Sequence, residues 1–361
     1  MRIFSQIGFI LRSTAAVALL AGCSGGGSQL PAAVAPVSPL SQPARTVQSL
    51  GGIHDTSTSI VPRSMWQPKA DLAHPRGFVN IAGVNSPHGN QTIISEIASN
   101  TVSVYGADGQ LNALLTVGLS EPQGLATDAA EKLYVANTLN SDIFIYSKPY
   151  TASGLTLNDA NEFPVGVAVS QTGVVGVTNI QTVTGGPGSV SLYAKGSTLA
   201  CATVSDPNWP QVFYDAFDAS GKLFIDGRDR GGNTIVGEVT GGCRATLIKT
   251  LHVGNTILFP GGVQVQNGSI LIDDQMAPAI YTYAPPSGGS LGSPTATTML
   301  MAGTDPVTFA MKKSGDGLWA ANNFTQPGGY KYTYPGGQFV KSITDGFLLP
   351  IGIAVNPVAK P

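Results

Sequence analysis

The 361-residue sequence predicts an all-β fold, a six-bladed β-propeller of four-stranded antiparallel blades. Three observations predict it. Gly 45 and Pro 25 are high for the length, while charged residues are only 11%, a balance that suits many tight turns and excludes coiled coils and charged disordered chains. A pattern of about 45 residues recurs along the chain. The two ends of the repeating region also lack complementary strands. Lys+Arg 19 against Asp+Glu 21 leaves no electrostatic footprint for nucleic acid.

The chain opens with a short apolar run interrupted by Arg12, too short to span a membrane and shaped like a secretory signal. It ends in Leu20-Ala21-Gly22-Cys23, which resembles a bacterial lipobox. That resemblance implies removal of residues 1–22, lipidation of Cys23 and anchoring of the chain to a membrane of the cell envelope. Ser24, where an Asp would favour the inner membrane, points to the outer one. Residues 23–76 are rich in Pro, Gly and Ser without apolar periodicity, and read as an extended tether. Residues 77–361 are expected to form the propeller.

Each repeat begins with Pro, continues through an apolar strand and a turn, and enters a second strand ending at Asn or Asp. A third strand, often closed by Tyr, follows. Pro122-Gln123-Gly124-Leu125-Ala126 leads to Leu133-Tyr134-Val135-Ala136-Asn137 and Ile143-Phe144-Ile145-Tyr146. Further openings stand at Pro164, Pro210, Pro260, Pro306 and Pro350, at steps of 42, 46, 50, 46 and 44 residues. Gly124, Gly166, Gly262 and Gly352 follow four of the six prolines, as expected where innermost strands crowd near an axis.

Pro350-Ile351-Gly352 opens a strand with nothing after it, whereas residues 92–117 supply three strands without an inner partner. Pairing the C-terminal strand with this N-terminal blade closes the ring. Pro75-Arg76-Gly77 is a competing opener for the same blade, and the C-terminal strand is preferred.

The second-strand ends place Glu96, Asn137, Asn179, Asp226, Asp273 and Asn322 around one rim, with Asp274 beside Asp273. Oxygen-bearing side chains there suit a hard cation such as calcium, or the hydroxyls of a glycan. The alternative is that each bonds nearby backbone and ends its strand. Tyr105, Tyr146, Tyr193, Tyr283 and Tyr334 are expected to pack on the next blade with their hydroxyls reaching water. Cys201 and Cys243 are the two cysteines outside the leader, and spacing alone leaves their pairing open. Gly288-Gly289-Ser290-Leu291-Gly292 matches a nucleophile elbow in spelling but lies in a turn-rich stretch without a helical pattern.

The repeats resemble the propeller superfamily of NHL-type, gluconolactonase-like and streptogramin-lyase-like proteins. The resemblance implies the fold over about 270 residues. A lactonase of this kind would hold a metal at the axis through Glu, Asn and Asp. The corresponding middle positions read here as Gln123, Val165, Gln211, Gly261, Val307 and Ile351, none of them acidic. A lyase would need axial histidines, yet His54, His74, His88 and His252 fall outside the first and second strands. No motif requires a cofactor. The expected role is a non-enzymatic binding or scaffolding module for a protein, glycan or small polar molecule. A metal-dependent hydrolase or lyase built on Asp226, Asp273 and Glu96 is the alternative.

Overall fold

The computed structural model describes residues 79–80, 90–150, 153–323 and 326–357. The leader, Cys23, nearly all of the tether and the Pro75 opener lie outside the described residues.

Six antiparallel sheets form the six blades of a β-propeller. Short Val/Ile/Leu-rich runs bounded by Gly and Asn turns make the strands, and both faces of each inner strand are buried because neighbouring blades cover them. Blade 2 is typical, with Pro122–Thr127, Leu133–Asn137, Asp142–Tyr146 and Ser153–Asn158 from axis to periphery. The inner strands of blades 3 to 6 are Glu162–Val169, Gln211–Phe217, Pro260–Gln266 and Pro306–Met311.

Blade 1 is completed by the end of the chain. Pro350–Asn356 forms its inner strand against Gln91–Glu96, with Glu96 facing Pro350. Val79–Asn80 joins the same blade at its outer edge against Leu111–Leu115. Blade 4 also carries an extra rib. Ser290–Gly292 pairs in parallel with its outer strand Lys249–Val253, so the nucleophile-elbow spelling lies on a strand that covers a sheet edge.

Every blade has a register shift at the same place on its inner ladder, between the residues facing Pro122 and Leu125 in blade 2 and their equivalents elsewhere. The bulge turns the strand at the crowded axis. Glycine after it has a steric reason. A Cβ on Gly124 would lie 2.5 Å from the Val165 carbonyl oxygen of blade 3, and one on Gly352 would collide with that of Gln123 in blade 2. Blade 6 has Thr308 there, and its hydroxyl donates to the Ile351 carbonyl at 2.8 Å, turning the same close approach into a bond between blades. Thr178 likewise donates to the Phe213 carbonyl at 2.6 Å, and Ser95 to that of Gln123 at 2.6 Å.

The register corrects the reading of blade 4. Val212 faces Gly227 as Pro122 faces Asn137, so the equivalent of Pro122 is Val212 and not Pro210. The middle position there is Phe213 rather than Gln211, and Tyr214 stands where other blades have Gly or Thr. The inner strand of the next blade, packed against this one, carries Gly261 and Gly262.

Candidate functional site

The axial ends of the inner strands define the hub. In register, the first positions after each Pro equivalent are Gln123, Val165, Phe213, Gly261, Val307 and Ile351. Val165, Phe213, Val307 and Ile351 are each at most 1% exposed and join one apolar cluster with Ile97, Ile180 and Phe259. Phe213 meets Phe259 edge-on at 5.8 Å between ring centres.

The rim residues divide by register. Glu96, Asn137, Asn179, Asp274 and Asn322 occupy equivalent positions, each facing the Pro of its own inner strand. Asp226 and Asp273 stand one residue earlier, so their side chains leave the opposite face of the sheet. Blade 4 has Gly227 at the rim position itself. The structure therefore does not assemble the six expected side chains into one ring.

Four of the true rim residues brace the loop that enters the inner strand. Glu96 accepts the backbone N–H groups of Leu348, Leu349 and Ala98 at 2.8–2.9 Å. Asn137 accepts from Ser120 at 2.6 Å and donates to the Gly118 carbonyl and the Asp142 carboxylate. Asp274 accepts from Leu258 at 2.7 Å, and from Phe259, Met276 and Ala277 at 3.1–3.2 Å. Asn322 accepts from Asp305 at 2.7 Å. Asn179 differs, donating to Ser189 and Ser191 of the third strand. All are at most 1% exposed, so these side chains shape the rim from beneath and do not present their oxygens to solvent.

A second set of buried acids comprises Asp215 and Asp226 on the first two strands of blade 4, Asp273 on the second strand of blade 5 and Asp305 just before the inner strand of blade 6, with the Asp215 carboxylate lying against Gly166 and Gly176 of blade 3. Asp226 accepts the Tyr214 N–H at 2.9 Å through one oxygen, and its other oxygen has no partner. Neither carboxylate oxygen of Asp273 or Asp215 has one. Burial, followed by the charges of Asp274, Asp305 and Asp226, pushes Asp273 well above the usual carboxylate range. Burial does the same to Asp226, with Asp215 adding to it, and raises Asp305 to about 7. These shifts favour the protonated acids. Among the described residues, no three His, Cys, Asp or Glu side chains converge in a way that would hold a metal ion. Sequence reasoning missed Tyr214, Asp215 and Asp305. The Tyr-Asp pair in a slot that elsewhere holds Gly or Thr followed by an apolar residue was the available signal.

The third-strand tyrosines are tied to protein more than to water. Tyr193 donates to the Asn158 carbonyl and the Asp159 carboxylate, Tyr283 donates to the Asn255 side chain, and Tyr334 bonds Thr282. Cys201 and Cys243 form a disulfide that links the edge of blade 3 to the turn after the third strand of blade 4. His252 lies on the outer strand of blade 4, away from the hub.

No family model matches the sequence. No curated protein matches it either. Solved structures share the fold. A protein of unknown function from Bacteroides caccae aligns at 11% identity over 74% of this chain and 99% of its own, with a TM-score of 0.57. A chain of a nidogen/laminin complex aligns at 13% identity over 74% of this chain and 98% of its own, with a TM-score of 0.53. Virginiamycin B lyase from Staphylococcus aureus aligns at 14% identity over 74% of this chain and 85% of its own, with a TM-score of 0.50. At these identities the likeness is one of architecture: the chain is a six-bladed β-propeller.

Proposed function

We propose that the protein is a non-enzymatic binding or scaffolding propeller, held at the bacterial outer membrane through a lipid on Cys23 and the tether that follows it. The observation supporting the binding reading is the apolar hub: Val165, Phe213, Val307 and Ile351 occupy positions where catalysis at an axis would need acids or histidines. Of the polar side chains around it, Glu96, Asn137, Asp274 and Asn322 are engaged with backbone N–H groups, Asp226, Asp273 and Asp305 are buried in forms that favour the neutral acid, and Gln123 adds a neutral amide to the hub itself. The lipid anchor rests on the Leu20-Ala21-Gly22-Cys23 motif.

The test is metal analysis of the purified protein together with a lactone-hydrolysis screen. The binding reading expects neither stoichiometric divalent metal nor turnover. Calcium at one per chain, lost with turnover in Asp273→Ala, would replace it with the hydrolase reading. Incorporation of labelled palmitate, abolished in Cys23→Ser, checks the anchor.

A further inference from the structure

We propose that a cavity between blades 6 and 1 binds a small organic anion carrying two or more carboxylate, phosphate or sulfate groups. This deepens the binding reading above, on which it rests, by naming a ligand class. The cavity has a volume of about 420 Å³, within the range small-molecule sites occupy. Lys312, Lys313, Lys331 and Lys341 line it around Trp319, and its lining includes no Asp or Glu.

The placement of these lysines is costly unless an anion compensates it. Trp319, Lys331 and Lys341 face one another directly across three neighbouring strands of blade 6, and so share one face of the sheet. Like charges directly opposite in an antiparallel pair repel. In a chain whose charged residues are only 11%, two ammonium groups in register beside two more are a specific choice. Burial, and then the charges of Lys312 and Lys341, hold Lys331 below its usual value.

Their existing partners leave charge over. Lys312 pairs with the exposed Asp316 at 2.7 Å. Lys341 lies 5.7 Å over the Trp319 ring and donates to the Ala107 carbonyl of blade 1 at 3.2 Å. Lys313 and Lys331 have no ion-pair partner among the described residues. The walls therefore carry three positive charges net of Asp316. Ammonium groups on flexible stems donate to carboxylate, phosphate or sulfate oxygens without a fixed bidentate geometry, and the buried indole gives an apolar floor to the carbon skeleton. The concave shape favours a small molecule over a flat membrane surface.

The test titrates the full chain carrying Cys23→Ser calorimetrically with citrate, fructose 1,6-bisphosphate and digalacturonate, with glucose as the neutral control. At least one anion is expected to bind, and glucose is not. Lys313→Gln with Lys331→Gln should weaken that binding about tenfold or more, and added salt should weaken it further. Lys222→Gln, whose Nζ pairs with Glu238 elsewhere in the propeller, should leave it unchanged. A fluorescence change on binding should disappear in Trp319→Phe. Melting curves show that the variants fold, and removing like charges is expected to keep or raise their midpoints. Failure of all three anions to bind, equal binding by parent and double variant, or association only with phosphatidylglycerol vesicles would overturn the inference. Metal-dependent hydrolysis would instead overturn the broader reading, and these titrations do not measure it.

Discussion

The Glu96 carboxylate accepts the Leu349 N–H at 2.9 Å across 253 residues of sequence. One side chain of the N-terminal blade thus fixes the loop that delivers the last strand to the same blade. Removing it leaves the Leu348, Leu349 and Ala98 N–H groups without their acceptor. At roughly 1 kcal/mol or more for each lost partner, Glu96→Ala should cost about 3 kcal/mol. The thermal midpoint should fall by about 5–10 °C. Glu96→Gln keeps one acceptor oxygen and should lose about half as much. An unchanged midpoint for both variants in a calorimeter would remove Glu96 from the closure.

Buried acids set the pH dependence. Burial raises Asp305 to about 7, and burial followed by Asp159 raises Glu162 to about 7. Asp215, Asp226 and Asp273 move in the same direction. A raised folded-state value means that the native state binds the proton more tightly than the unfolded chain. Its stabilisation is complete below the usual carboxylate value of about 4 and is lost as pH rises through about 7. Each such group contributes a slope of up to ~1.4 kcal/mol per pH unit in that window. Denaturant melts should therefore show greater stability near pH 5 than near pH 8. Asp305→Asn should flatten the difference, and a parent protein more stable near pH 8 would refute the account.

Two glycines separate crowding from backbone conformation. A methyl on Gly352 would overlap the Gln123 carbonyl oxygen, whereas Gly196 has φ +80° and nothing within 4 Å of where a Cβ would stand. Gly352→Ala should force blades 1 and 2 apart and cost about 3 kcal/mol or more. Gly196→Ala meets only the left-handed backbone and should cost about 1 kcal/mol. Comparable losses in the two variants would contradict the packing argument.

The disulfide closes a loop with a sequence separation of 42 between adjacent blades. Loop-closure entropy assigns such a link about 4 kcal/mol, with native-state relaxation reducing it. Cys201→Ser with Cys243→Ser should lower stability by about 2–4 kcal/mol in a denaturant melt, and reductant should lower the parent alone. No loss in the double variant would show that blade packing holds this edge unaided.

The repeat is legible in the sequence because each blade needs the same solution at the axis: a Pro, a bulge and a residue small enough for the next backbone. Blade 4 escapes that pattern because it solves the problem differently. It places Val212 at the Pro position and Tyr214 at the Gly position, with Gly261 and Gly262 opening the following blade. Pro210 lies two residues early, and a search for Pro-to-Pro spacing takes it as the opener. Asp226 and Asp273 read as rim residues because strand length alone does not reveal on which side of a bulge a residue falls. Lys313, Lys331 and Lys341 are separated by turns, and only the cross-strand register brings them to one wall.

Pro350–Asn356 is the inner strand of blade 1 yet follows every other described strand in the chain. A ribosome releasing this polypeptide would therefore have exposed all of blades 2 to 6 before the first could be finished. Until then the Gln91–Glu96 edge has open hydrogen-bonding groups that another extended chain can match. Shielding of the nascent chain by a chaperone up to its final segment would guard against exchange of that segment between two molecules.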